Sequence, residues 1–220
     1  MKKTTTILCL GIALCMLGCS DDDDQVTTTS TVPFSLTASL SPRSSDAEDT
    51  GILQGNWNAN SQLAVMKTGS SGVPKTILTR ETDSSDTFTG DLSTLVKNEN
   101  EIAVFYPAAA ITATSSDTLT QTLNLSGQDG TLAGITNYDY LWAQCKAGMN
   151  ETTGSSACEM TSLVTIGKFQ FTANGDSPLN NITRITVTAT AGNLYSSAVM
   201  KLKDGEFSST QTGNITIKNK

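Results

Sequence analysis

Short segments in which apolar and polar residues alternate constrain the fold of this chain more than any other sequence feature. The clearest is Val32–Leu40, where Phe34, Leu36 and Ala38 occupy every second position. A period of two is typical of a β-strand that buries one face. The polar stretch Ser41–Asp46 then ends the pattern. We therefore predict a first strand over Val32–Leu40.

Similar short segments recur along the rest of the chain, separated by turn residues rich in Gly, Asn, Asp and Ser. Only Leu92–Lys97 hints at a helix. This arrangement predicts an all-β protein, specifically an antiparallel β-sandwich. The pair Asp204-Gly205 predicts a hairpin. The further predicted strands are Gln62–Lys67, Lys75–Glu81, Asp86–Asp91, Ile102–Tyr106, Thr118–Leu125, Asp139–Lys146, Thr161–Thr172, Ile182–Ala191, Ala198–Lys203 and Asn214–Lys218.

The N-terminus has the organisation of a bacterial secretory signal. Lys2 and Lys3 precede the apolar run Ile7–Leu17, which ends in Leu-Gly before Cys19. The run is shorter than the ~20 residues that a transmembrane helix needs. Its ending resembles a lipobox, at which the cysteine receives a diacylglycerol and the chain is cut just before it. We predict a signal peptide over residues 1–18 and lipidation of Cys19; an ordinary signal peptide with a chance cysteine is the alternative.

An acidic and then Thr-rich stretch follows Cys19. It contains the run Asp21–Asp24 and has little to bury, so residues 19–31 are predicted to be a disordered tether. The acidic run is either a solvated spacer or, by resemblance, the export signal that sends Bacteroidetes lipoproteins to the outer leaflet of the outer membrane. We predict a lipid-anchored protein on the cell surface.

Charge and composition exclude several functions. Removal of the signal takes two lysines from the 14 basic residues and leaves 12 against 21 acidic ones, a net charge of −9. Such a surface repels nucleic acid. The chain has no histidine, which excludes Ser-His-Asp and Cys-His catalysis and imidazole-bound zinc. Asp83 and Asp86 could form a glycosidase-like carboxylate pair, but their Ser-rich surroundings favour a solvated loop. We predict no enzyme, no cofactor and no metal site.

Cysteine usage predicts one disulfide. Cys9 and Cys15 belong to the predicted signal and Cys19 to the predicted lipid anchor, which leaves Cys145 and Cys158. A pair in an oxidising compartment is typical of a disulfide, and closing this loop stabilises a fold by ~3 kcal/mol in the chain-entropy model. The alternative is two buried free thiols.

Several segments, in their order and spacing across residues 30–190, resemble the fimbrillin family, the subunits of Bacteroidetes type V pili and their minor relatives. One departure is Asn60, which stands where the family commonly has an acidic residue. The segments are Trp57–Val65, Phe88–Gly90, Asn100–Pro107, Gln121–Leu123, Gln128–Thr131 and Tyr138–Ala143.

The resemblance implies a transthyretin-like β-sandwich that polymerises by exchanging a β-strand with other fimbrillin-like subunits. In the family, a protease cuts the lipoprotein precursor after an arginine near the N-terminus, the first strand leaves, and a neighbour's strand fills the groove. Here Val32–Leu40 is the removable strand and Arg43 the candidate cleavage site. The alternative is that Arg43 is an ordinary surface residue. Arg80 and Arg184 lie in strand-like segments, where a protease has little access.

The resemblance also implies a domain organisation. Residues 32–190 are expected to form the fimbrillin-like domain, and residues 191–220 the end of that domain or the start of a second one. Family members usually carry a second sandwich domain, so a shortened member or a truncated sequence is expected.

A monomeric surface lipoprotein that binds glycans or host ligands is the alternative function. Sugar rings stack on aromatic faces, and Trp57 and Trp142 are the candidate platforms. Thr118 lies in Asp117-Thr118-Leu119, which resembles an O-glycosylation acceptor of secreted Bacteroidetes proteins.

Overall fold

The computed structural model describes residues 30–41, 55–69, 73–112, 120–135, 137–167, 182–191 and 194–218. Cys19, Arg43 and Thr118 lie outside the described residues, so lipidation, cleavage and glycosylation at these positions stay predictions. Within the described part, no helix is sufficiently long and apolar to cross a membrane.

The described chain is almost entirely β-structure, which confirms the all-β prediction. Its helical content is a single turn of α-helix, α1 (Leu132–Ile135), and a 3-10 turn at Ala108–Ala110. The strands are β1 (Thr31–Leu40), β2 (Gln62–Lys67), β3 (Thr76–Arg80), β4 (Thr87–Ser93), β5 (Glu101–Tyr106), β6 (Thr120–Asn124), β7 (Leu141–Lys146), β8 (Gly148–Met149), β9 (Gly154–Ser162), β10 (Arg184–Val187), β11 (Tyr195–Lys201), β12 (Phe207–Thr212) and β13 (Ile215–Lys218).

The main sheet closes on itself. Its order is β1-β4-β3-β2-β5-β7-β9, and β9 also pairs with β1, so that seven strands form a barrel. All neighbours in this ring are antiparallel except β1 and β9, which run parallel. The predicted antiparallel sandwich is therefore replaced by a closed mixed barrel, because the first strand pairs along both of its edges. Alternation of apolar residues does not determine which strands pair, so the sequence pattern could not show this closure.

Strands β2 and β5 lie at the centre of the fold because they are buried on both faces. Leu63 and Val65 of β2 point into the barrel with Ile102 and Val104 of β5. The intervening residues belong to a second cluster outside the barrel wall, namely Ala64, Met66, Ala103 and Phe105. Burial on both faces explains why these two strands are continuous apolar runs without alternation.

A three-stranded sheet in the order β12-β11-β6 covers this outer cluster. Leu123 of β6, Met200 of β11 and Leu202 just beyond it are buried there. The covering sheet adds a second layer on one side of the barrel. Tyr140 is also buried in this layer, and its hydroxyl donates to the carbonyl oxygen of Asn124 at 3.1 Å.

Most predicted strands are confirmed with shifts of a few residues. Three strands of the structure, β8, β9 and β12, were not predicted at their observed positions. Strand β9 covers Gly154–Ser162 and overlaps the predicted strand Thr161–Thr172 only at its end, because its small and polar residues carry little apolar signal. Residues 168–172 of that prediction lie outside the described residues. Strand β12 has one apolar residue and forms because the turn at Gly205, with φ +72°, folds it onto β11. That turn confirms the predicted hairpin. The two-residue strand β8 was also missed, and Leu92–Lys97 contains the end of β4 and a turn instead of a helix.

Strands β10 and β13 form a separate two-stranded ribbon. Ile185 pairs with Ile217 and Val187 with Ile215, which places four apolar residues on one face. These residues are half-buried and belong to neither core cluster. The division of the chain at residues 190 and 191 stays a prediction.

Candidate functional site

Strand β1 and its two neighbours form what we call the seam, which consists of β1, β4 and β9. Along β4 the antiparallel register runs from Thr31 opposite Ser93 to Thr37 opposite Thr87. Along β9 the parallel register begins at Phe34 opposite Gly154 and ends at Leu40 opposite Met160. The β9 ladder begins directly after Pro33, which has no N–H to donate. The N-terminal strand is thus a full member of the barrel wall and closes it.

The inward face of β1 fills the barrel. Val32, Phe34, Leu36 and Ala38 are all buried, and Leu36 and Ala38 have no exposed surface. Fully burying a Leu or Phe side chain contributes about 1.5–3 kcal/mol each. The outward residues of β1 are mainly Ser and Thr and are exposed or half-exposed. This division confirms the alternating pattern that predicted the strand.

Phe34 lies between two glycines. Its partner on β4 is Gly90 and its partner on β9 is Gly154. A Cβ atom at Gly154 would lie 2.7 Å from Phe34 Cδ2, and one at Gly90 would lie 2.9 Å from the carbonyl oxygen of Ile77. Neither neighbour can carry a side chain without displacement. Gly154 therefore leaves room for the Phe34 ring, whereas Gly90 leaves room for Leu78 and the backbone of β3.

Trp57 secures the C-terminal half of β1. Its Nε1–H donates to the carbonyl oxygen of Ala38 at 2.7 Å in a buried position. The indole meets Phe88 and Tyr106 edge to face, with ring centroids 5.0 and 5.3 Å apart. Arg80 supports Trp57 in turn, because its guanidinium donates to the Trp57 carbonyl oxygen at 2.7 Å.

Hydrogen bonds mark both ends of β1. At the start, the backbone N–H and the hydroxyl of Thr94 both donate to the carbonyl oxygen of Ser30, at 2.9 and 3.0 Å. At the end, the Ser41 hydroxyl donates to Glu159 Oε1 at 3.2 Å. Arg43 follows Ser41 by two positions and lies outside the described residues, so the predicted cut stays a prediction. Arg80 and Arg184 lie in β3 and β10, as the sequence pattern indicated.

A cleft of about 420 Å³ opens at the N-terminal end of β1. Its apolar lining comes from Val32, Val96 and Met149, and Lys97 and Glu151 stand at its sides. Because Val32 is also the first inward residue of β1, the cleft continues the line of side-chain positions that the strand fills.

Cys145 on β7 and Cys158 on β9 are half-buried free thiols that pack against the barrel core. The predicted disulfide is not formed in the structure. Hydrogen bonds donated by the Cys158 thiol and the Ser156 hydroxyl lower the pKa of Cys145 to about 7, although burial opposes the shift. The same contact with Cys145, together with burial, raises the pKa of Cys158. Ser156 Oγ lies 3.2 Å from Cys145 Sγ, and Cys158 Sγ lies 3.8 Å from Met160 Sδ.

The two candidate platforms for glycans are engaged in the fold. Trp57 is 3% exposed. Trp142 is half-buried, and a Cβ atom on Gly205 would lie 2.7 Å from its ring, which shows that the Gly205 backbone covers one ring face. Asp83 and Asp86 are exposed in the turn between β3 and β4. Within the described ranges, no three residues among His, Cys, Asp and Glu come together as a metal site.

Comparison with known proteins finds a likeness of fold. No family model matches the sequence, and no curated protein matches it. The fold is similar to the crystal structure of a candidate cell adhesion protein from Bacteroides ovatus, with a TM-score of 0.53 and 16% sequence identity. The match covers 86% of this chain and 72% of that chain.

Proposed function

We propose that this chain is a cell-surface adhesion protein of the fimbrillin type, a pilus subunit or accessory that assembles by exchange of its first strand. The observation that carries the proposal is the seam. An N-terminal strand closes the barrel through two backbone ladders, and it fills the core with one face only. The adhesion role and the surface location are also supported by the fold of the Bacteroides ovatus protein.

Removal of β1 would create an acceptor for another strand. Strands β4 and β9 would each present an edge of unpaired backbone groups, and the pockets of Phe34 and Leu36 would open between them. An edge of this kind recruits a complementary strand, with backbone hydrogen bonds supplying affinity and alternate side chains supplying specificity. A strand entering in the direction of β1 would run antiparallel to β4 and parallel to β9.

The room beside Gly154 indicates what the incoming strand must contain. It should place a large apolar ring opposite Gly154, and four positions later a backbone carbonyl oxygen that accepts the Trp57 indole hydrogen bond. Because the donor and the acceptor are different surfaces, such a contact propagates from subunit to subunit into a filament.

Lipidation at Cys19 and cleavage at Arg43 complete the proposal. Cys19 precedes β1 and Arg43 follows it, so a single cut would separate both the strand and the anchor from the barrel. A transthyretin-like domain and delivery to the outer membrane belong to the same proposal and rest on the sequence resemblance.

The experiment is size-exclusion chromatography with negative-stain microscopy on the full-length protein, before and after brief Arg-specific proteolysis. Oligomer ladders or filaments are expected only after a cut at Arg43, which mass spectrometry would verify. The matched control is Arg43→Lys, which retains the charge and resists the protease. A barrel cut at Arg43 that remains monomeric would refute assembly by strand exchange.

A peptide competition tests the groove directly. A synthetic peptide of residues 31–41, added during cleavage, should suppress the oligomers by occupying the seam. A peptide with Phe34→Ala should be at least about tenfold weaker, since burial of a Phe side chain contributes about 1.5–3 kcal/mol. A peptide with Thr37→Ala, altered on the exposed face, should compete like the original. Equal potency of all three peptides would contradict a specific groove.

A further inference from the structure

The two thiols lie at a stretch of β9 where no backbone pairing to β7 is formed. Strand β9 pairs with β7 only at Leu141 opposite Ser162 and at Trp142 opposite Thr161. Extending that register by three residues places Cys145 opposite Cys158. The backbone ladder does not reach this point. Ser156 Oγ lies 2.7 Å from the Lys146 carbonyl oxygen and 3.2 Å from Cys145 Sγ, so its one hydroxyl hydrogen can serve either acceptor.

Strand β1 pairs with the opposite edge of β9, since Gly154 and Ser155 pair with β1 and with β8 at the same time. Ala38 lies opposite Cys158 in the parallel register, and the Ser39 hydroxyl donates to the Cys158 carbonyl oxygen at 3.3 Å. Apart from β1, β9 is paired at its start only with the short strand β8, at Ser155 and Gly154. Departure of β1 would therefore leave residues 156–160 without a backbone ladder among the described strands.

We propose that Cys145 and Cys158 are a redox modification site, at which a disulfide-carrying oxidant joins β9 to β7 and thereby holds the wall of the seam in place when β1 is absent. The holding role rests on the proposed strand exchange, whereas the oxidation does not. The register places the two thiols opposite each other on neighbouring strands, and their partial exposure admits an oxidant.

The chemistry balances as two thiol–disulfide exchanges. The Cys145 thiolate attacks one sulfur of the oxidant RSSR, which forms a mixed disulfide and releases RS⁻. Cys158 then loses its proton, and its sulfur attacks the Cys145 sulfur, which releases the second RS⁻. The net reaction converts two protein thiols and RSSR into one protein disulfide and two RSH. Cys145 is the first nucleophile because its lowered pKa supplies more thiolate near neutral pH.

The first test is a redox titration of the full-length protein in mixtures of reduced and oxidised glutathione, followed by alkylation and mass spectrometry. The two thiols should disappear together in a single transition, with a mass loss of two hydrogens. Cys145→Ser and Cys158→Ser should each abolish that transition. Two thiols that remain alkylatable in the folded protein, or that each acquire glutathione, would overturn the proposal.

The second test measures hydrogen exchange of the β9 amides after cleavage at Arg43, in the oxidised and the reduced protein. Exchange over residues 156–160 should be at least tenfold slower in the oxidised form. The double variant Cys145→Ser/Cys158→Ser should show no dependence on oxidant. Equal exchange in both redox states would overturn the holding role.

The two proposals fail separately. If no oligomers form after cleavage in the oxidised and in the reduced protein, strand exchange is refuted and the redox site is not affected. If oligomers form but Cys145 and Cys158 never form a disulfide, the redox site is refuted and strand exchange is not affected.

Discussion

The first strand of the seam, β1, and the two strands at the centre of the fold, β2 and β5, are all buried, but they are buried in different ways. Strands β2 and β5 bury both faces, between the barrel interior and the covering sheet. Strand β1 buries one face and shows hydroxyl side chains to solvent on the other. The centre cannot lose a strand without exposing two cores, whereas loss of β1 opens only one. This difference in burial supports the proposal that β1, and not β2 or β5, is the strand that is exchanged.

The largest effect is expected at the centre, from Phe105→Ala. Phe105 is 1% exposed beneath the covering sheet, and removing such a ring costs about 3–5 kcal/mol in unfolding free energy. Urea denaturation should show this loss in one transition, with faster exchange in every sheet. Phe207→Ala is the matched control, because Phe207 is 45% exposed. A loss confined to β11 and β12 would mean that the centre is not shared by the two layers.

A smaller and more local effect is expected at the seam, from Trp57→Phe. The variant removes the indole donor and leaves the buried Ala38 carbonyl oxygen unpaired, which costs about 1–3 kcal/mol. Hydrogen exchange should accelerate along β1 more than along β2 and β5. Trp142→Phe is the control, since the buried Trp142 Nε1 has no hydrogen-bond partner in the described part of the chain. Uniform acceleration in all strands would contradict an independently held β1.

Gly154→Ala should loosen the seam from the β9 side. The new Cβ would lie 2.7 Å from the Phe34 ring and would also meet Met149 Sδ; the thioether can move aside, but the ring is enclosed. Overpacking of this kind costs about 1–3 kcal/mol, and thermal unfolding should detect it. Ser155→Ala, at the adjacent exposed position, should be neutral. If both variants unfold like the original protein, the glycine does not shape the pocket.

The smallest effect is expected on the reactivity of the Cys145 thiol and not on the stability of the fold. Cys145 titrates with a pKa of about 7, so its alkylation by iodoacetamide should rise with pH around that value and fall below it as the thiolate is protonated. In Cys158→Ala the main donor to the thiolate is lost, and the midpoint should move up toward the ordinary thiol value of about 8.5. An unchanged midpoint would show that Cys158 does not donate to Cys145.

The sequence anticipated the outline of the seam but not its closure. Alternation along Val32–Leu40 identified the strand and its buried face, because that pattern is local. The parallel partner β9 was missed, because Gly154–Ser162 contains mostly small and polar residues. Its place in the sheet depends on β1, which is distant in sequence. The indole hydrogen bond to Ala38 and the two glycines around Phe34 have no separate sequence signal, since each depends on strand register.

What the sequence determined by itself was the class of the protein: all-β, acidic, without histidine, with apolar faces set at a period of two. These properties follow from composition and from the geometry of an extended chain. Only the tertiary structure decided that the first strand closes a mixed barrel, that β2 and β5 are buried twice, and that Cys145 and Cys158 meet. Those features arise from pairings between distant strands, whose register is selected by the packing of the whole core.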